Sequence, residues 1–179
     1  NRMPEFCISA ALVERGVPVV AAILNPSTDE LFTAMRGGGL FLNGARVALS
    51  LPHEFDPVIM VSAGEFRSDR WSAFAETTPC RPMYSIANAL ALVAAARVQA
   101  AFTMEPENEW DVAAGVLLIE ESGGAISDAD GKPFVFNQPT PRFRGVIAVA
   151  ATSDKDLRAN LQSHAEQARS QPERKQTTP

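Results

Sequence analysis

The sequence predicts a layered domain of the α/β (α+β) class. Two observations lead to this prediction. Short apolar runs separated by turn signals fill residues 5–48, which is typical of an antiparallel meander. From residue 81 onward, strand-like segments alternate with alanine-rich, helix-like segments, which is typical of strands covered by helices. The chain has 179 residues, of which 46% are hydrophobic, so one domain with a sizeable core is expected.

The residue pattern in the first part of the chain predicts three strands and a hairpin. Apolar runs predict strands over 5–13, 17–25 and 30–35. The pair Asn43-Gly44 between two short apolar runs is the strongest short-range hairpin signal. The run Gly37 to Gly39 lacks the Lys-Ser/Thr of a phosphate-binding loop, so a turn is expected there.

The second part predicts strands and helices in alternation. Ser68, Ser85 and Ser153 each precede a helical pattern in the N-cap position. Two glycines after Ser122 end one of these helices. The predicted strands cover 57–63, 81–84, 98–103, 125–127 and 145–150, and the predicted helices cover 68–76, 86–97, 111–122 and 154–168.

The two ends of the chain suggest how the domain is bounded. Residues 1–168 are expected to form the domain, and residues 169–179, which lack apolar side chains, a disordered tail. The chain starts with Asn1, close to a strand-like run, so we expect a fragment whose upstream part is missing. The alternative is that Met3 is the true start, preceded by two additional residues.

Composition excludes several classes of protein. The net charge is −5 and the sequence pI about 5.1, which disfavours a partner that is a nucleic-acid polymer. Cys7 and Cys80 cannot make a disulfide framework, and with only two histidines a Cys/His zinc site is not expected. No apolar run is long enough to span a membrane, so no membrane partner and a cytoplasmic location are expected.

The segment around Asp111 is the most unusual in the sequence. It places a carboxylate in the first turn of a predicted helix, directly after a strand and a loop. A helix N-terminus favours anions, and a carboxylate there can bind a hard cation that in turn binds phosphate. On the residues alone, the favoured explanation is that Asp111 only interacts favourably with the helix dipole and that Trp110 lies in the core.

Three further features carry weaker signals. Ser85 opens a second helix whose free N–H groups could face an anion, or it is a plain N-cap. Asp128 and Asp130 resemble the start of a calcium loop, but the rest of that loop is absent and a turn is expected. Glu105, Glu107 and Glu109 are most simply a solvated loop.

Taken together, these segments resemble the inositol monophosphatase family of magnesium-dependent phosphomonoesterases. Residues 109–115 read Glu-Trp-Asp-Val-Ala-Ala-Gly and residues 120–124 read Glu-Glu-Ser-Gly-Gly, similar to the family's paired C-terminal motifs. Supporting similarity lies at 25–32, at 37–44 and at 85–94. The resemblance runs from about residue 4 to 151.

The resemblance implies a five-layered αβαβα sandwich lacking its N-terminal part. The family's first metal-binding glutamate and its Asp-Pro-x-Asp-Gly-Thr motif would lie before Asn1. Asp111 is then the one family metal ligand that is retained, with Mg²⁺ as cofactor, and no catalytic residue is retained with confidence. The isolated chain is accordingly expected to have an incomplete active site.

The resemblance also implies a small-molecule phosphate ester as the partner. Ser85, Ile86 and Ala87 fall where the family contacts substrate, together with Asp111. Met104 falls where some members carry a substrate-binding glutamate, and Glu105, one position on, could supply that carboxylate. The substrate is an inositol phosphate or, on similarity to the 3′(2′),5′-bisphosphate nucleotidase branch, a 3′-phosphonucleotide. A homodimer is possible by analogy, and a degenerate non-catalytic homologue that acts at most as a binding partner is the alternative.

Overall fold

The computed structural model describes residues 5–48, 56–67, 75–76 and 78–170. These residues form alternating layers: an antiparallel sheet, a pair of helices, a mixed sheet and a final helix. The predicted fold class is confirmed, because the order of layers is that of a sandwich of sheets and helices. The helix predicted over 68–76 lies almost wholly outside the described residues, as do residues 171–179 of the predicted tail.

Sheet 1 is a meander of five neighbouring strands. It consists of β1 Ile8–Glu14, β2 Val17–Asn25, β3 Glu30–Met35, β4 Gly39–Leu42 and β5 Ala45–Arg46. The predicted hairpin is confirmed, since Asn43 and Gly44 turn the chain with φ of 49° and 80°. Two consecutive positive φ angles give the turn whose twist matches paired strands. The first strand begins at Ile8 rather than at residue 5.

Sheet 2 is mixed and has five strands. They are β6 Asp56–Ser62, β7 Cys80–Met83, β8 Val98–Thr103, β10 Ala125–Ser127 and β12 Val146–Val149. Their order in the sheet is β10-β12-β8-β6-β7. Strand β6 runs parallel to both β7 and β8, whereas β12 is antiparallel to both of its neighbours. A separate two-stranded ribbon pairs β9 Glu107–Asn108 with β11 Arg142–Phe143.

Four helices are described. They are α1 Ala63–Phe66, α2 Ile86–Ala94, α3 Glu109–Glu121 and α4 Leu157–Ser170. Helix α2 ends three residues earlier than the predicted 86–97, and α3 begins two residues before Asp111.

The last helix corrects the prediction at both of its ends. Ser153 does not cap it, because its Oγ donates to the carbonyl oxygen of Gln99 at 2.7 Å. The helix therefore starts at Leu157 rather than at residue 154. It also extends to Ser170, two residues into the segment predicted as tail. Arg169 forms an ion pair with Asp130, which anchors this last turn to the domain.

Two apolar clusters hold the layers together. The larger lies between the sheets and includes Ile23 and Phe32 from sheet 1, Met60 from sheet 2, and most of α2 and α3. The smaller lies between sheet 2 and α4 and includes Ile59 and Phe102. The run 58–61 is continuously apolar and is buried on both faces, as is typical of a strand between two layers.

Helices α2 and α3 approach closely at Gly115. A Cβ at this position would lie 2.6 Å from the Cβ of Leu90 and 2.4 Å from its Cδ1. The absence of a side chain therefore permits the contact between the two helices that separate the sheets.

Backbone N–H groups of the glycine run in the turn after β3 bind the carboxylate of Glu121. The N–H groups of Gly37 and Gly39 each donate to Glu121 at 2.7 Å. This turn ties sheet 1 to the end of α3, which agrees with its prediction as a turn rather than a phosphate-binding loop.

None of the helices in the described part of the chain is long and apolar enough to cross a membrane.

Candidate active site

Three parallel strands end at one edge of sheet 2. Strand β6 ends at Ser62, β7 at Met83 and β8 at Thr103, and each is followed by the start of a helix. Because parallel strands present their carboxyl ends together, the starts of α1, α2 and α3 gather at this edge. In sheets of this kind, ligands bind at the carboxyl ends of the strands.

Helix α2 presents backbone donors at this edge. Ser85 caps it, because its Oγ accepts the N–H of Asn88 at 3.3 Å. The first intrahelical bond runs from Ala89 to the carbonyl of Ser85, so the N–H groups of Ile86 and Ala87 have no partner within the helix. Ala87 is buried and Ile86 half-buried, so what these residues can offer an anion is backbone rather than side chain.

Helix α3 presents Asp111 in its first turn. Asn108 is the N-cap, yet its side chain makes no capping hydrogen bond and donates instead to Asp111 Oδ2 at 3.2 Å. That amide orients one carboxylate oxygen of a half-buried Asp111. The first turn of α3 therefore combines backbone donors with an oriented carboxylate.

The segment that opens sheet 1 contacts the first turns of both helices. Cys7 Sγ lies 3.4 Å from Ser85 Oγ at the start of α2. Ser9 Oγ donates to the carbonyl oxygen of Trp110 at 3.4 Å, in α3. These contacts place the starts of α2 and α3 at the same end of the molecule. Cys7 itself is partly buried against the core.

Glu65 fixes the turn that follows β8. Its carboxylate accepts from Ser62 Oγ at 2.9 Å, from Thr103 Oγ1 at 2.8 Å and from the N–H of Met104 at 3.0 Å. Burial, the largest cause, raises the pKa of Glu65 above its ordinary value. The carboxylate thus joins the ends of β6 and β8.

The same turn places the side chains of Met104 and Glu105 in different surroundings. Met104 is half-buried and packs against the cluster beneath α4. Glu105 is exposed, and its N–H donates to Thr103 Oγ1 at 3.0 Å. Its carboxylate lies against Gly64, where a Cβ would come within 2.3 Å of Oε1. Of the two adjacent residues, Glu105 is the one whose polar group reaches the edge of the sheet.

Burial, together with several carboxylates that converge here, raises the pKa of Glu107 to about 7. Burial is the largest cause, followed by the negative charges of Asp111, Glu105 and Glu65, while Arg142 acts in the opposite direction. A concentration of negative charge of this kind favours a bound cation.

Asp111 therefore fits the role of one ligand to a hard cation such as Mg²⁺. Among the residues that the structure describes, however, no three His, Cys, Asp or Glu side chains are grouped so as to hold a metal ion. The described part of the chain offers a single oriented ligand rather than a complete metal centre.

The structure brings most of the predicted site residues to one edge and corrects the interpretation of others. Glu109 is buried and accepts the N–H groups of Asn137 at 2.9 Å and Gln138 at 3.1 Å, so it belongs to no solvated loop. Trp110 is 62% exposed, which removes the alternative that it is a core residue.

Two residues near the site had not been singled out from the sequence. Gly64 and Glu65 form a short helix after β6, and no motif marks them. Only the buried apolar strand before them, which predicts a carboxyl end at Ser62, could have pointed to this position.

Asp128 and Asp130 form a turn, as predicted. Asp128 Oδ1 accepts the N–H groups of Asp130 at 2.9 Å and Lys132 at 2.7 Å. The carboxylate of Asp128 thus serves the turn itself rather than a calcium ion.

The fold and the edge of sheet 2 define a layered α/β protein in which the starts of two helices and an oriented carboxylate lie at one edge. Comparison with known proteins identifies the family: the profile of the inositol monophosphatase family matches residues 1–170, and the chain belongs to that family. The match extends on both sides of the predicted 4–151.

Relatives of known sequence carry two kinds of name. The inositol-1-monophosphatase of Rhizobium meliloti is 41% identical over 143 residues, covering 72% of this chain and 52% of that protein. Nus factor SuhB of Salmonella typhimurium is 37% identical over 140 residues, covering 73% of this chain and 52% of that protein. The chain thus spans about half the length of the curated relatives it matches.

Solved structures of the family have the same fold as this chain. The IMPase of Thermotoga maritima superposes with a TM-score of 0.75 at 26% identity, covering 93% of this chain and 63% of that chain. The inositol monophosphatase of Anabaena gives a TM-score of 0.71 at 28% identity, covering 92% of this chain and 66% of that chain.

Proposed function

We propose that the chain supplies the substrate-facing part of an Mg²⁺-dependent phosphomonoesterase whose active site is completed by polypeptide outside these 179 residues. The observation that carries this proposal is the oriented carboxylate of Asp111 among backbone donors at the edge of sheet 2. Membership of the inositol monophosphatase family supports a phosphatase reaction. The proposal includes a domain that extends through Ser170, where the last helix ends, and a cytoplasmic location.

Each residue has a definite part in this proposal. Asp111 would hold a cation beside the ester oxygen, where a bound metal ion stabilises the charge that develops as the ester is cleaved. Ser85, Ile86 and Ala87 would receive the phosphate through the start of α2, whose backbone donors favour an anion. Glu105 would accept a hydrogen bond from a substrate hydroxyl, since its carboxylate is exposed beside Gly64.

The substrate is proposed to be a small phosphate ester rather than a nucleic-acid polymer. The net charge of −5 and the cluster of carboxylates repel a polyanion, whereas one phosphate can be bound through a metal ion. A 3′-phosphonucleotide is expected to be preferred over inositol 1-phosphate, because Met104 offers no hydrogen bond to a polyol. Glu105, one position on, is the alternative partner for a polyol hydroxyl, and in that case inositol 1-phosphate would be preferred instead.

The substrate preference can be measured in an enzyme that carries this chain within a family-length polypeptide. The kcat/KM for adenosine 3′,5′-bisphosphate and inositol 1-phosphate would be compared at saturating Mg²⁺, with Glu105→Gln alongside. A clear preference for inositol 1-phosphate that disappears in Glu105→Gln would overturn the nucleotide preference and assign Glu105 to polyol binding.

The role of Asp111 can be separated from a structural role in the same enzyme. Asp111→Asn keeps the shape of the side chain but removes its charge, so activity should fall by about 100-fold or more, with a raised Mg²⁺ requirement and an almost unchanged Tm. Parallel losses of Tm and activity at an unchanged Mg²⁺ requirement would return Asp111 to a helix-start role.

The isolated chain is expected to release little or no phosphate from either substrate, since one ligand cannot hold the ions that the reaction needs. Substantial release that EDTA abolishes would contradict the incomplete site.

A second candidate function is a non-catalytic one, in which the chain is only a binding partner. Membership of the inositol monophosphatase family favours the phosphatase over this alternative, and Mg²⁺-dependent turnover by a complex that contains the chain would exclude it.

A further inference from the structure

A buried hydroxyl at the end of β8 links the backbone of Glu105 to α1. Thr103 is fully buried, and its Oγ1 donates to Glu65 Oε2 at 2.8 Å. The same oxygen accepts the N–H of Glu105 at 3.0 Å. A hydroxyl carries a single proton, so donation to Glu65 leaves its lone pairs for the N–H of Glu105. The carboxylate of Glu65 therefore sets the direction of the whole link.

The carboxylate of Glu65 also binds the preceding residue of this turn directly. The N–H of Met104 lies 3.0 Å from both oxygens of Glu65, and Ser62 Oγ donates to the same carboxylate at 2.9 Å. Hydrogen bonds to a charged carboxylate are stronger than those between neutral groups. The backbone N–H groups of two successive residues, Met104 and Glu105, thus depend on one side chain of α1.

Gly64 supplies the space in which the side chain of Glu105 lies. A Cβ at Gly64 would come within 2.3 Å of Oε1 and 3.3 Å of Cδ of Glu105, which is closer than the first pair of atoms can approach. Gly64 is not among the glycines with a positive φ, so its backbone does not require glycine. Glycine is also less favourable than alanine in a helix. The close approach of Glu105 is the feature that a side chain at Gly64 would disrupt.

The carboxylates of Glu65 and Glu105 lie close enough to interact. Burial is the largest cause that raises the pKa of Glu65, and the negative charge of Glu105 raises it further. Like charges repel, so the two side chains do not attract each other. The hydrogen bonds through Thr103 and through the N–H of Met104 are attractive contacts that hold the turn against α1.

We propose that Gly64 and Glu65 are positioning residues that set where the carboxylate of Glu105 lies at the edge of sheet 2. Glu65 fixes the backbone of the turn, and Gly64 leaves room for the carboxylate. This inference rests on the proposed function, in which Glu105 accepts a hydrogen bond from a substrate hydroxyl. Gly64 and Glu65 act only through Glu105, and misplacement of such a group by about 1 Å can cost about 100-fold in rate.

The backbone part of the proposal is tested on the chain itself, without metal or substrate. Glu65→Ala removes the acceptor, so amide exchange measured by NMR should become about tenfold faster or more at Met104 and Glu105. Circular dichroism verifies that the variant is folded.

Glu121→Ala is the matched control for this measurement. The carboxylate of Glu121 accepts two backbone N–H groups, those of Gly37 and Gly39, at the opposite end of α3 from Asp111. This variant should accelerate exchange at Gly37 and Gly39 and leave Met104 and Glu105 unchanged.

Gly64→Ala tests the position of the carboxylate by a different route. The new Cβ displaces the flexible end of Glu105, while alanine favours the helix, so the Tm should be unchanged or slightly raised. In an enzyme that carries this chain within a family-length polypeptide, the KM for the substrate whose hydroxyl Glu105 binds should rise about tenfold. A purely structural role would not raise KM at an unchanged Tm.

The same substitution is then made together with Glu105→Gln, with adenosine 3′,5′-bisphosphate and inositol 1-phosphate as substrates. Since Gly64→Ala acts through the Glu105 carboxylate, it should raise KM no further once that carboxylate is absent. This cycle decides the proposal independently of how well Glu65→Ala folds.

The outcomes separate this proposal from the proposed function. Unchanged exchange at Met104 and Glu105 in a folded Glu65→Ala variant would overturn the positioning role of Glu65. Equal increases in KM from Gly64→Ala with and without Glu105→Gln would overturn that of Gly64. Parent kinetics of Glu105→Gln on both substrates would count against the hydroxyl-binding role of Glu105 in the proposed function, while faster exchange in Glu65→Ala would still establish that Glu65 holds the turn.

Discussion

The two sheets of this protein have similar apolar strands but different surroundings. Sheet 2 is covered on both faces, so Val58 and Met60 pack toward the central helices while Ile59 and Val61 pack toward α4. Among the residues that the structure describes, sheet 1 is covered on one face only, and its other, outer face leaves Ile8 and Leu12 exposed. An apolar strand is therefore no measure of burial, because burial depends on which layers are present on either side.

The largest expected loss of stability is at buried isoleucines, and a series of three isoleucine variants tests this comparison directly. Ile147→Ala in sheet 2 and Ile23→Ala on the inner face of sheet 1 should each lower the free energy of unfolding by about 2–5 kcal/mol, because both side chains are fully buried. Ile8→Ala on the outer face should change it by less than about 0.5 kcal/mol. Urea unfolding of the three variants measures the difference.

The same series shows how the comparison would fail. A loss at Ile8 as large as that at Ile147 would mean that the outer face is covered in the isolated chain. In that case the apolar side chains on the outer face of sheet 1 would already be packed against something in solution.

An intermediate loss of stability is expected at the contact between α2 and α3, the helices that lie between the two sheets. Gly115→Ala places a Cβ against Leu90, so it should cost about 1–3 kcal/mol of stability through overpacking. Ala114→Gly, at the neighbouring buried position, is a control for changes in helix propensity, with an expected cost of about 1 kcal/mol. Thermal unfolding compares the two, and a Gly115→Ala variant as stable as the parent would show that the helices have room to separate.

The smallest effect concerns the acidic edge of sheet 2. Because the pKa of Glu107 is raised to about 7 in the folded state, the fold binds its proton more tightly than the unfolded chain does. This contribution to stability is complete below the ordinary pKa of about 4.5 and is lost as the pH rises through about 7. The free energy of unfolding should therefore decline across that window.

Glu107→Gln should flatten the decline, whereas Glu14→Gln, at the exposed end of β1, should leave it unchanged. Urea unfolding at several pH values measures the slopes, and NMR titration of the Glu107 carboxyl group checks its pKa. Identical slopes in the parent and in Glu107→Gln would show that another group titrates at this edge.

Local chemistry made much of the fold predictable. The hairpin at Asn43-Gly44, the Asp128 turn and the Ser85 cap each depend on a few neighbouring residues, and all three are observed. The family followed from motifs that surround Asp111. The end of the last helix was missed because Arg169, in a stretch without apolar residues, is held by Asp130, which is distant in sequence.

The sequence by itself determined most of the strands and helices, the turns and the family, since these depend on backbone preferences and motifs within short segments, but it did not reveal α1 or the ribbon of β9 and β11. Only the tertiary structure decided which carboxylates meet. Glu65 and Thr103 are 38 residues apart, and Glu109 and Gln138 are 29 apart, so no local pattern could pair them. It also decided that no other described part of the chain covers one face of sheet 1, because coverage is a property of the neighbouring layers and not of the strand.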